Sequence, residues 1–313
     1  MDTSTTSHHH TQELENQAFG HGQQAVAMAR SSSDIGVLVA TFAGFSFATS
    51  AYFIISSLIE LYSSPTNAPD TGFELLLALL FIVIGGLLTF GLILGFGMFL
   101  VRMQRQTMLG NSLQVQYSDY AWLRDWTNQV AADLKMPQVE IYITQDPVIN
   151  AYAMGFMKPY IIVLNSGAIR YLTKEELKVV AVHEMAHIKY AHTIASVFLA
   201  PFLMIPVINI AAGWLSGFWQ RRAELTADRL ALLYMRDSEL VKRALIKVHV
   251  GPDVAQYMNE TARQWLQYTA ERPMNRFAQT FSAHPFLVRR LSHIDRWKPV
   301  IEPQTAQTPV QPV

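Results

Sequence analysis

The sequence predicts a mainly helical α+β domain with a small β-sheet, preceded by a two-helix transmembrane hairpin. Three observations predict it: two long apolar runs near the N-terminus, free of charge except for Glu74, short runs rich in Val, Ile and Tyr mid-chain, and helical periodicity nearly everywhere after them. Half of the 313 residues are apolar and 15% are charged, a low charge fraction for a soluble chain. The apolar excess is gathered into local runs, which is a membrane composition. A net charge of zero argues for no nucleic-acid partner. The chain has no cysteine, which excludes disulfides and thiolate metal sites.

Residues 1–34 are polar, with no hydrophobic period, and read as a disordered tail. The run His8-His9-His10 is too short to count as a metal site. Within 35–101, two apolar stretches, 36–58 and 73–101, each exceed the roughly 20 residues needed to cross a bilayer as a helix. Arg30 precedes the first, Arg102 and Arg105 follow the second, and the segment between them has no Lys or Arg. That asymmetry places both termini in the cytoplasm. Gly91 and Gly95 are spaced for close helix contact, within the hairpin or in a homo-oligomer.

Residues 102–301 read as one globular domain, and 302–313, rich in Pro, Gln and Thr, as a disordered end. Trp122, Trp126 and Val130 share one face of a helix over 119–134, ended by Met136-Pro137. Strands are expected at 139–144 and 160–164, with a third short one within 150–156. Helices follow at 238–250 and 254–270, separated by Gly251-Pro252.

The chemistry centres on His183-Glu184-Met185-Ala186-His187, an H-E-x-x-H spacing. On a helix, residues four apart lie about 40° apart around the axis, so both imidazoles project from one face toward a single ion. Glu184 lies about 100° round from His183, beside the ion, where it can take a proton from water activated there. Thr173-Lys174-Glu175-Glu176 is a capping-box signature that starts the helix, and no Pro or Gly interrupts it before Pro201. A continuous helix would point His192 away from the pair. The three-histidine zinc pattern would need its last His where Thr193 stands.

A third ligand is expected downstream on another helix. Glu224 would complete a His₂Glu site, and Asp228, one turn on, could accept the free N–H of a ligating histidine. The plain alternatives are two core histidines on a buried helix, and a solvated face pairing Glu224 and Asp228 with Arg221, Arg222 and Arg229. The two segments together favour the metal. Zinc is the usual ion for two neutral histidines and a carboxylate, one per chain, with a position left open.

Residues 193–219 carry no charge and would pass as a third span. A single crossing would put His183 and Glu224 on opposite sides of the membrane, so the segment must leave and return as a helical hairpin. Pro201, Pro206 and Gly213 offer bends. Each arm, roughly 18 Å of helix, is too short to span.

The His183-to-His187 motif, Glu224-x-x-Ala227-Asp228, Asn150-Ala151-Tyr152-Ala153 upstream, and His284-Pro285 with Arg290 near the end together resemble the HtpX-type membrane zinc proteases. The CAAX prenyl endopeptidases are more distant relatives. The likeness covers roughly 102–298. It implies a zincin-like endopeptidase that hydrolyses peptide bonds, with His183, His187 and Glu224 on the zinc and Glu184 as base. It places Asn150 and Ala151 on an edge strand of the substrate cleft, where main-chain pairing can hold an extended peptide. It brings His284 and Arg290 to the site, to stabilise an oxyanion or gate the metal. It also implies protein or peptide substrates, misfolded membrane proteins among them, and a bacterial inner membrane with the catalytic domain cytoplasmic.

Two rivals come from other classes. A catalytically silent scaffold on the same fold has no need of Glu184. A transporter would want ionisable groups inside its spans, where only Glu74 appears, near an end. A CAAX-type processing enzyme, by the same resemblance, would carry many more spans.

Overall fold

Local signals decide most of the elements, and a few long-range contacts decide where they sit. The structure, a computed structural model, describes residues 21–63, 72–199, 203, 208–280, 282 and 285–301. A short helix over 21–29 (α1) is followed by α2 (Ser32–Ser63) and α3 (Gly72–Gly110). Both long helices have the length and composition to cross a membrane, and the most apolar window of α3 is entirely unburied by the rest of the chain. They pack against each other. α3 runs beyond its apolar stretch to Gly110, because the Arg, Gln and Met residues that follow Val101 are themselves good helix formers.

Segment 21–34 departs from the expected disordered tail, whose residues 1–20 lie outside the described residues. Ala25 and Ala29 are buried in the main core. Gln23 donates to the carbonyl of Asp133 (2.6 Å), and the Tyr190 hydroxyl and Arg229 donate to the carbonyls of Val26 (2.8 Å) and Ala29 (2.9 Å). Asp34, in the first turn of α2, pairs with Arg222 (2.7 Å) and accepts from Thr226 (2.9 Å). Only small apolar residues face the core here, so the segment reads as polar in sequence.

A four-stranded sheet follows: β1 (Leu113–Gln114), β2 (Val139–Thr144), β3 (Ala151–Met154) and β4 (Tyr160–Asn165), in the order β1-β2-β4-β3. β2 and β4 are parallel and the other pairs antiparallel. The run Ile161–Leu164 is wholly buried, as an inner strand covered on both faces should be. α4 (Ala121–Asp133) covers β2, and α5 (Ser166–Tyr171) leaves β4. β3 is an edge, and α6 (Lys174–Lys189) packs beside it.

The capping box at the start of α6 is complete. The Thr173 hydroxyl accepts from the Glu176 N–H (3.3 Å), and the Glu176 carboxylate accepts from the Thr173 N–H (2.8 Å) and from Lys247 (2.8 Å). Burial pushes the Glu176 carboxyl up, but the hydrogen bonds from Lys247 and Thr173 outweigh it and leave it below its usual value. A carboxyl depressed on folding stabilises the fold above its unfolded pKa, and that stability is lost as pH falls through the folded one. Glu176→Gln should therefore cost about 1–3 kcal/mol near neutral pH. The gap in denaturation midpoint should close on acidification below the ordinary carboxylate value of 4.5. A gap independent of pH would assign the loss to packing.

α6 does not run on to Pro201. It ends at Lys189, Ala191 adopts a left-handed conformation (φ 58°), and α7 (His192–Leu199) starts in a new direction. α7 packs against α8 (Ile208–Met235). Gly213 lies inside α8, so the chain does not bend there; Pro201 and Pro206 lie outside the described residues. α9 (Ser238–Val250) matches its expected range. The helix expected over 254–270 is instead two, α10 (Pro252–Ala255) and α11 (Glu260–Glu271), because Asn259 caps α11 by accepting from the Ala262 N–H (2.9 Å). α12 (Pro273–Thr280) and α13 (Leu287–Ile301) complete the chain. α6, α8, α9 and α13 pack around Met185, Leu230, Leu232 and Ile294.

Candidate metal centre

α6 and α8 lie side by side in the core, and this contact brings two distant segments together. His183 and His187 project from one face of α6 with their Nε2 atoms 3.2 Å apart. Glu224 on α8 sets Oε2 at 3.5 Å from His183 Nε2 and Oε1 at 3.6 Å from His187 Nε2. Ligand atoms about 2.0–2.2 Å from one tetrahedral zinc stand roughly 3.3–3.5 Å apart, so the triangle fits such an ion. Among the described residues, these three form the one group of His, Asp and Glu side chains close enough to share a metal.

The charge balance fits as well. Glu184, Glu224 and Asp228 line one cavity with a single guanidinium, Arg290; with neutral imidazoles, two negative charges remain for a dication. Asp228 is 2% and Arg290 5% exposed. Arg290 donates to both Asp228 oxygens (2.7 and 2.5 Å) and lies 3.1 Å from Glu224. Burial opposes ionisation of Asp228, but Arg290 outweighs it and drives the carboxyl far below its usual range. The same Asp228 Oδ1 that accepts from Arg290 lies 3.0 Å from His183 Nδ1. An Nδ1–H donated there turns the Nε2 lone pair into the triangle. Burial works against charge on His183, yet Asp228 and Glu224 raise it to about 10, while burial lowers His187 to about 4. A cation entering the triangle must therefore displace a proton from His183.

Glu184 stands outside the triangle and is 8% exposed. Burial raises its carboxyl to about 7, against the pull of His183 and of a hydrogen bond from the Ala153 backbone. That contact explains the placement of β3. The Asn165 N–H donates to the Asn150 carbonyl (3.0 Å), so alternation along an antiparallel strand turns the N–H groups of Ala151 and Ala153 away from β4. The first donates to the Asn150 side-chain oxygen (3.0 Å), and the second donates to Glu184. Gly155, just beyond β3, permits the close approach: a Cβ there would lie 2.6 Å from Thr193 Oγ1 and 3.0 Å from Ile188.

The cavity, about 350 Å³, is lined by these polar groups together with Val179, Val180, Val241, Ala244, Leu245 and Val248. Asn150 and Ala151 also line it. His284 lies outside the described residues. Two further histidines, missed as members of the site, belong to it. His249 donates from Nδ1 to the Leu245 carbonyl (3.0 Å) and presents Nε2 to Arg290 (3.3 Å); no local motif marks it. His192 was expected to point away. The break at Ala191 instead sets its Nδ1 3.0 Å from His187 Nδ1.

The site so assembled, two helices with a sheet edge alongside, can be compared with known proteins. The model of peptidase family M48 matches residues 118–217 and 202–298, from just after β1 into α13. The chain belongs to peptidase family M48. Among curated relatives, "Plastoglobule-localized metallopeptidase 48, chloroplastic" of Arabidopsis thaliana is 32% identical over 62% of this chain and 62% of its own length. "Protease HtpX" of Shewanella denitrificans is 36% identical over 33% of this chain and 39% of its own. A "Protease HtpX homolog" of Fusobacterium nucleatum is 24% identical over 52% and 63% respectively. The chain thus spans less than two thirds of these relatives. No solved structure matches it. The M48 assignment agrees with the resemblance drawn from the four motifs and with the mainly helical fold carrying a small sheet.

Proposed function

We propose that this M48 chain is a membrane-anchored, zinc-dependent endopeptidase, in which His183, His187 and Glu224 hold the ion and Glu184 is the general base. The observation that carries it is the ligand-atom triangle of 3.2–3.6 Å with a buried carboxylate beside it. Zinc supplies Lewis acidity there, polarising a carbonyl and acidifying water. Glu184 takes the proton of the attacking water and returns it to the leaving amine. A carboxyl near 7 suits both transfers. Asp228 fixes His183, and Arg290 fixes Asp228.

An extended peptide lies along β3, pairing with the outward main chain of Ala151, and the Val, Ala and Leu wall receives an apolar side chain. Main-chain pairing gives little sequence preference, which suits broad substrates such as misfolded membrane proteins. α2 and α3 anchor the domain at the cytoplasmic face. α7 and α8 form the arms that leave and re-approach the domain, meeting or dipping into the bilayer. A silent scaffold on this fold is disfavoured by the intact Glu184.

The test is zinc content and casein cleavage of the detergent-purified chain. One zinc per chain is expected, with cleavage abolished by a chelator and restored by added zinc. Cleavage indifferent to chelation would sink the reading.

A further inference from the structure

The two histidines of α6 are held by chemically different partners. His183 Nδ1 faces a buried carboxylate, Asp228. His187 Nδ1 faces another imidazole, His192, at 3.0 Å. His192 is 6% exposed, and its ring meets Trp219 edge-on (centroids 5.6 Å) and lies 5.8 Å from Tyr190. The side chain is therefore built in, and a backbone turn puts it there: Ala191 takes φ 58°, a left-handed conformation that residues with a Cβ disfavour.

Two Nδ1 atoms at hydrogen-bond distance cannot both carry protons. If His187 gives its Nε2 lone pair to a metal, its proton must sit on Nδ1. His192 must then accept at Nδ1 and carry its own proton on Nε2. We propose that His192 is a positioning residue that fixes the tautomer and ring orientation of His187 through this imidazole–imidazole hydrogen bond. The inference rests on the His₂Glu reading above and assigns a residue which that reading does not use. A neutral base in place of the usual carboxylate or carbonyl also leaves His187 without the second anionic partner that His183 has in Asp228.

The experiment uses the full chain in detergent and measures the zinc dissociation constant by competition with a chromophoric chelator, beside the melting temperature of the metal-free protein. His192→Leu keeps the volume and removes the acceptor; His192→Gln offers an amide oxygen. The expected result for His192→Leu is zinc binding weakened about 10–100-fold, with an unchanged metal-free melting temperature and affinity largely recovered in His192→Gln. Zinc affinity of His192→Leu within twofold of wild type would overturn the assignment. So would equal losses in both variants together with a lowered metal-free melting temperature, which describes a purely structural wedge. A wild-type chain that binds no zinc overturns the His₂Glu reading itself, and this assignment with it.

Discussion

Glu184→Gln is expected to keep its zinc and to lose casein cleavage by about 10²–10⁴-fold, the usual contribution of a general base. The substitution is nearly isosteric at a buried position beside β3, and an amide oxygen can still accept the Ala153 N–H. What it removes is the proton acceptor. The wild-type rate should also fall as acidity protonates Glu184. Its carboxyl lies at about 7 without the ion, and a neighbouring dication favours the ionised form, so the acid limb should sit at or below that value. A variant with normal zinc and more than a tenth of wild-type activity would remove Glu184 from the mechanism.

Arg290→Met should be the most destabilising single change at the site. Arg290 touches Asp228 twice and Glu224 once from a nearly closed position. Its loss leaves the buried Asp228 and the half-buried Glu224 with His183 as their remaining counter-charge, at a cost of about 3–5 kcal/mol in the metal-free protein. Zinc on Glu224 would supply part of the missing positive charge. The loss should therefore be smaller in zinc-loaded protein, and zinc should raise the denaturation midpoint of the variant more than that of wild type. Equal losses with and without zinc would mean that Arg290 acts only as packing.

What sequence reading recovered was local or periodic. The Thr173–Glu176 box, the four-residue spacing of His183 and His187, and the one-turn spacing of Glu224 and Asp228 are each legible because a helix converts spacing into direction. What it missed depended on tertiary choices without a local mark. Ala191 carries no glycine-like signature for a left-handed turn, so the redirection of His192 was invisible. His249 reaches Arg290 only because α9 and α13 pack together. Arg290 came to the site through the family resemblance alone, and no local pattern marks its pairing with Asp228, which rests on α8 and α13 packing together. Segment 21–29 exposes enough Gln, His and Met to look unstructured, while Ala25 and Ala29 make the contact.

The clamp between Asp34 and α8 has a mechanical consequence. Arg222 and Thr226 flank Glu224 by two residues on either side, and both hold Asp34 at the start of α2. With α1 also fastened to the core, no slack linker separates the α2 helix from the helix that bears Glu224. If α2 stands in the bilayer, the cleft works at a set altitude above it, like a blade bolted to its post. Such a blade reaches only chain that is slack enough to rise to it. A short, tightly folded loop passes beneath, and a frayed one does not.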